Sequence, residues 1–214
     1  MKMLIKNFLE LERKDRVVFF LLCSTILNYI VAIVKLVLSF VIPSLWFLVN
    51  SIFLFTIGIC RFLSIKEYRK IRLTKNKEKK LILGYKNYSA NGVMLILIGI
   101  AYFGVSTYMY YKGTNTNMHE YITYLVALVA FTSIGSAIYG MIKYKKNQDP
   151  IIKGIKITNF AKALTSIVLT QVVLLDTFNE GWYDSRLNGY TGMGVSLIII
   201  VLGLYMILGS KKEN

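Results

Sequence analysis

The 214-residue chain contains one histidine, two cysteines and two prolines, and its 26 lysines and arginines face only 11 acidic residues. A single His119 leaves no zinc or iron site of the usual His/Cys type to be assembled. Cys23 and Cys60 form neither a CxxC pair nor a disulfide framework, and within apolar runs they act as small hydrophobes. No HExxH, nucleophile elbow or pair of carboxylates inside an apolar run occurs, so no catalytic residue is assigned and no cofactor is required. Charge of either sign is scarce. Only 17% of residues are charged and 55% are hydrophobic, against about 25% charged in a soluble domain. That balance places the chain in the membrane class. The formal +15 would suggest nucleic acid in a soluble protein. In a membrane protein it has a simpler cause, because cytoplasmic loops collect Lys and Arg, and nucleic acid is excluded as a partner.

Crossing the hydrocarbon core takes about 20 apolar residues per helix. Uncharged stretches cover 17–34, 36–60, 87–111, 121–142, 163–175 and 187–210. Pro43-Ser44 breaks the second, so the first helix is expected over 17–42 and the second over 44–65, joined by a tight turn. The fifth is expected to begin near Ile157, since 163–175 alone is too short to span. The fold class is therefore all-α: a polytopic membrane protein with a six-helix transmembrane domain over 17–210 and a tail at 211–214. Basic residues alternate with these spans: five in 1–16, ten in 61–86, five in 143–156 and two in the tail. The remaining loops hold Lys112 and Arg186 beside Glu120, Asp176, Glu180 and Asp184. Both termini are thus expected in the cytoplasm. Over 1–16, Leu4, Ile5, Phe8, Leu9 and Leu11 recur at helical spacing opposite Lys2, Lys6, Glu10 and Arg13, which predicts an amphipathic helix on the inner membrane surface. A cleaved signal peptide is a poor alternative, since no small-x-small site follows the apolar run.

Ionisable groups inside spans carry functional hypotheses because their burial is expensive. Lys35 stands about two-thirds of the way along the first helix. It either reaches the outer interface or meets a buried partner, the candidates being Asn50, Gln171 and Asp176. Lys162 is expected to reach back to the cytoplasmic interface. Asn28, Thr165, Ser166, Thr170 and Gln171 put further polar atoms into helices one and five, where they act as interhelical glue or as a ligand site. The candidate binding set is Lys35, Asn28, Asn50, Thr165, Gln171 and Asp176. Gly135, Ser136 and Gly140, with Gly189, Gly192 and Gly194, are expected to permit close helix packing. No strand precedes the last glycines, so a nucleotide-binding loop is not indicated. The acidic segment 176–184 does not match an EF-hand and reads as a solvated loop.

The spacing Asn28, Lys35, Ser44, Asn50 resembles the Asn-x6-Lys-x8-Ser-x5-Asp pattern of the first two helices of cation diffusion facilitators. Gly84-Tyr85-Lys86-Asn87-Tyr88 is similar to the sequence opening that family's third helix, and Asn159-Phe160-Ala161-Lys162-Ala163-Leu164 is similar to a stretch of its fifth. The resemblance implies a facilitator-like six-helix bundle. The family's metal ligands would fall on Phe53 and Ile57 in helix two and on Thr165 and Leu169 in helix five. Only Thr165 has an oxygen, so no metal ligand is assigned. The family's cytoplasmic metal-sensing domain also has no counterpart in 211–214. The chain further resembles small membrane proteins of low-GC Gram-positive bacteria, which implies a bacterial plasma membrane. The function expected is a transporter-like protein on a cation-efflux-type scaffold that has lost its transition-metal ligands. The alternative is a non-transporting accessory or regulatory subunit whose basic cytoplasmic loops bind lipid or a protein. Expected partners are the bilayer and anionic lipid headgroups, with a homodimer left open.

Overall fold

A computed structural model of the protein describes residues 13–41, 44–73, 76–112, 120–143, 149–178 and 186–211, with side chains for all of these except 13–21, 72, 73, 77 and 143. They form six α-helices: α1 (Arg13–Val41), α2 (Leu45–Leu73), α3 (Lys77–Lys112), α4 (Glu120–Lys143), α5 (Pro150–Phe178) and α6 (Arg186–Lys211). Each is long and apolar enough to cross a bilayer, so the chain is an all-α, multi-pass membrane protein. The surface supports the same conclusion. On α1, Ile26, Leu27, Ile30, Ile33, Val34 and Val37 are exposed, whereas Thr25, Asn28, Ala32 and Lys35 are buried. Apolar side chains outside and polar ones inside suit hydrocarbon as the solvent, because lipid offers no penalty to exposed Leu and Ile.

Several helix ends differ from the expected ones, each for a local chemical reason. The amphipathic helix expected over 1–16 falls largely on residues 1–12, outside the described residues, and 13–16 already belong to α1. Residues 61–86, read as a basic loop, are mostly helical. α2 continues to Leu73 and α3 starts at Lys77. Asn76 caps α3, its Oδ1 accepting the backbone N–H of Glu78 (2.9 Å) and Lys79 (3.3 Å). At 36 residues α3 is about 54 Å long, well beyond a hydrocarbon core of about 30 Å. The length exceeds a single crossing, and the adjoining ends of α2 and α3 meet the start of α5, where Ile71 packs with Ile151 and Ile155. α5 begins at Pro150 rather than near Ile157. Asp149 accepts the Ile151 N–H at 2.9 Å, and proline suits the first helical position, where an N–H has no partner.

α5 is the central helix, touching α2, α3, α4 and α6; α1 lies on α2, and α4 lies on α5. α3 and α6 pair antiparallel along most of their length. That pairing needs glycine. A Cβ at Gly203 would stand 2.7 Å from the Gly92 carbonyl oxygen, and one at Gly189 would stand 2.7 Å from Tyr110 Cα. Gly189 and Gly192 thus permit close packing as expected. Gly135, Gly140 and Gly194 do not, since nothing lies within 4 Å of a Cβ built there. Sequence alone gives no phase for a helix whose lipid-facing and core-facing sides are equally apolar.

A candidate functional site between α1, α2 and α5

Polar residues of α1 recur at 24, 25, 28 and 35, a spacing that puts them on one helix face. That face meets α2, whose Asn50 and Arg61 are eleven residues, or about three turns, apart and so share a face as well. Ser51 Oγ donates to the Ala32 carbonyl at 2.9 Å and fixes the two helices at close approach. Three cations then line the seam. Lys35 Nζ donates to Asn50 Oδ1 at 3.4 Å. Lys162 Nζ, from α5, donates to Asn28 Oδ1 at 2.6 Å. Arg61 Nη1 donates to Ser24 Oγ at 3.1 Å. Lys35, Arg61, Asn28 and Asn50 are 6%, 4%, 2% and 0% exposed.

Among the described residues every partner of these cations is neutral. The ion pair Lys70–Glu67 (3.1 Å) lies on the surface, away from the seam. Lys162 stands within Coulomb range of both Lys35 and Arg61, so like charges repel along the seam. The 3.4 Å bond of Lys35 is long for N–H···O and leaves its ammonium weakly satisfied. Donors are also in surplus. The Asn28 and Asn50 side-chain amide nitrogens and the Arg61 Nε are buried without an acceptor. The Asn50 amide faces the Tyr102 hydroxyl but meets it at no hydrogen-bonding geometry.

The structure brings together three of the six residues expected to form a site: Asn28, Lys35 and Asn50. Thr165 is buried on α5, but its hydroxyl donates to the Lys162 carbonyl at 3.0 Å, within its own helix. Gln171 lies elsewhere, with Thr170 and Phe131 on a groove of about 580 Å³ between α4, α5 and α6. Asp176 is half-buried near the far end of α5, and Lys35 turns to Asn50 instead. Lys162 corrects the expectation that it reaches the interface. With α5 starting at Pro150, it lies twelve residues, about 18 Å, into the helix, and its half-buried ammonium is held by Asn28. Arg61 was hidden by being the first member of a basic run. Its three-turn spacing from Asn50 was the available signal.

The positions where the resembled family keeps its ligands are filled otherwise. Phe53 and Ile57 pack in an apolar cluster with Leu95 and Ala161. Leu169 packs with Trp46 and Val172. No protein-family model matches the chain, and no curated protein matches it in sequence.

Proposed function

We propose that this protein is a membrane carrier whose working site is the cationic seam, on a cation-efflux-type scaffold without that family's transition-metal ligands. The observation that carries this reading is the set of three cations that, among the described residues, neutral side chains alone hold within the bundle. Such an arrangement disfavours the folded state relative to an apolar seam, and ionisable groups at that depth mark solute pathways.

Single cysteines test whether the seam is a pathway. Lys35→Cys and Ala32→Cys are expected to react with hydrophilic thiol reagents from one side of the membrane only. Ile33→Cys, which faces lipid, is expected to stay inert. Failure of both seam cysteines to react from either side supports the accessory-subunit reading instead. That second reading has one observation in its favour: the adjoining ends of α2 and α3 carry Lys66, Arg69, Lys79, Lys80 and Lys86, a basic cluster suited to anionic headgroups.

The carrier is oriented with both termini in the cytoplasm. Impermeant maleimide added to intact cells is expected to label Thr114→Cys and Asn179→Cys and to spare Thr74→Cys. Labelling of Thr74→Cys in sealed cells would reverse this orientation. Zinc calorimetry checks the lost ligands. Protein freed of its purification tag is expected to show no stoichiometric uptake at micromolar zinc, and uptake with a stoichiometry of one would restore the metal-carrier reading.

A further inference from the structure

We infer that the seam between α1, α2 and α5 binds a small inorganic anion, an oxyanion such as sulfate or phosphate fitting best; this rests on the carrier reading and names its substrate class. The argument is one of unmatched chemistry. Lys35, Arg61 and Lys162 bring three positive charges into the bundle, and no carboxylate among the described residues answers them. A metal ion meets only repulsion there. Water supplies acceptors for N–H groups but no counter-charge. An anion supplies both.

The unused donors give the site its shape. Arg61 uses Nη1 on Ser24, and its Nε–H, on the edge that grips oxyanions bidentately, has no acceptor. The Asn28 amide has its oxygen on Lys162 and its nitrogen unpartnered. The Asn50 amide has its oxygen on Lys35 and its nitrogen unpartnered too. Each asparagine orients a cation with one atom and offers a second donor with the other. Along α1 the three anchor points, Ser24, Asn28 and Lys35, are separated by four and seven residues, about 6 and 10 Å of rise. The nearer pair suits one small oxyanion held by Arg61 and Lys162 together. Lys35 forms the next station along the seam. The burial of these side chains favours a compact ion over a bulky organic one.

Two measurements on the full-length protein test this. In nonionic detergent at constant ionic strength, sodium sulfate or phosphate replaces sodium gluconate in millimolar steps, where the general salting effect of sulfate is small. The melting temperature is expected to rise saturably, and Lys162→Met, which exchanges the ammonium for a thioether, is expected to weaken the apparent affinity at least tenfold. The same stabilisation in Lys162→Met, or none in the parent, overturns the anion site. So does stabilisation that appears only when anionic lipid is added, which identifies a headgroup phosphate rather than a free ion. In the second measurement, a cysteine at Asn28 is probed with an anionic and a cationic methanethiosulfonate of similar size. The anionic reagent is expected to react at least tenfold faster after correction for intrinsic rates, and a faster cationic reagent overturns the inference. The two readings fail separately. Sulfate stabilisation without one-sided thiol access leaves the anion site and removes the carrier. One-sided access with a cationic preference leaves the carrier and removes the anion site.

Discussion

Replacing Asn28 with Leu is expected to destabilise the protein by about 3 kcal/mol, whereas Lys162→Met is expected to be neutral or stabilising. Both changes break the same 2.6 Å bond, so a bond count predicts equal losses. The physics predicts unequal ones. Asn28→Leu leaves the Lys162 ammonium without its acceptor inside the span, and an unpaired charge costs about 2.5–3.5 kcal/mol by insertion scales for a helix centre. Lys162→Met removes the charge together with its desolvation penalty and relieves its repulsion with Lys35 and Arg61. It leaves behind an amide that lipid-embedded proteins tolerate at smaller cost. The double variant, with neither charge nor amide, is expected to be at least as stable as the parent, since apolar replacement of buried ionic groups is often neutral or favourable by about 1–4 kcal/mol. Unfolding in mixed micelles, read as a double-mutant cycle, gives the coupling directly. Additive losses, with both single variants equally damaged, would mean that the seam is a structural hydrogen bond and nothing more. A stable double variant that no longer responds to sulfate shows that the charge is retained for function at the expense of stability.

The contrast between what was legible in the sequence and what was not follows from which forces leave a mark at each position. Hydrocarbon imposes a length and a polarity on every span, so six helices stand out as six uncharged runs. Helix ends are set by capping chemistry, which works at single residues. Asn76 and the pair Asp149-Pro150 carry that signal openly. A reading weighted toward hydropathy passes over them, because Lys77, Lys79 and Lys80 follow the first and Lys153 and Lys156 interrupt the apolar residues after the second. A helix starting at Ile157 puts Lys162 near the surface, where a long side chain reaches water. A helix starting at Pro150 puts it more than three turns in, where it meets Asn28. Lys35 and Asn50 were legible as candidates, with Gln171 and Asp176 offered beside Asn50 as partners, because each interrupts an apolar run. Arg61 was not, because charge at the margin of a span looks like loop. Helix phase was the least legible quantity. The polar positions 24, 28 and 35 mark the inner face of α1, but nothing comparable separates the sides of α4, and its glycines were assigned to packing that does not exist.

The α3–α6 pair carries the largest expected effect of a single side chain on the fold. At Gly203 an added Cβ meets the Gly92 carbonyl oxygen at 2.7 Å and the Ile96 backbone nitrogen at 3.1 Å. Gly92 is reciprocally tight, its Cβ falling 2.8 Å from the Gly203 oxygen. Backbone atoms cannot turn aside as a side-chain tip can, so Gly203→Val forces the two helices apart. Overpacking a well-filled interior costs about 1–3 kcal/mol and occasionally more. Here the upper end is expected, about 3 kcal/mol or above, because separation also loosens the contacts of Ile199 and Met206, both fully buried. Glycines in open space supply the control. Gly104→Ala and Gly135→Ala meet nothing within 4 Å and should stabilise by about 0.5–1 kcal/mol, since alanine loses less conformational entropy on entering a helix. Resistance to SDS-induced unfolding in bicelles ranks all three variants on one scale. The expected order is Gly203→Val far below the parent, with the two alanine variants above it. A Gly203→Val protein as resistant as the parent would mean that α3 and α6 stand further apart than described.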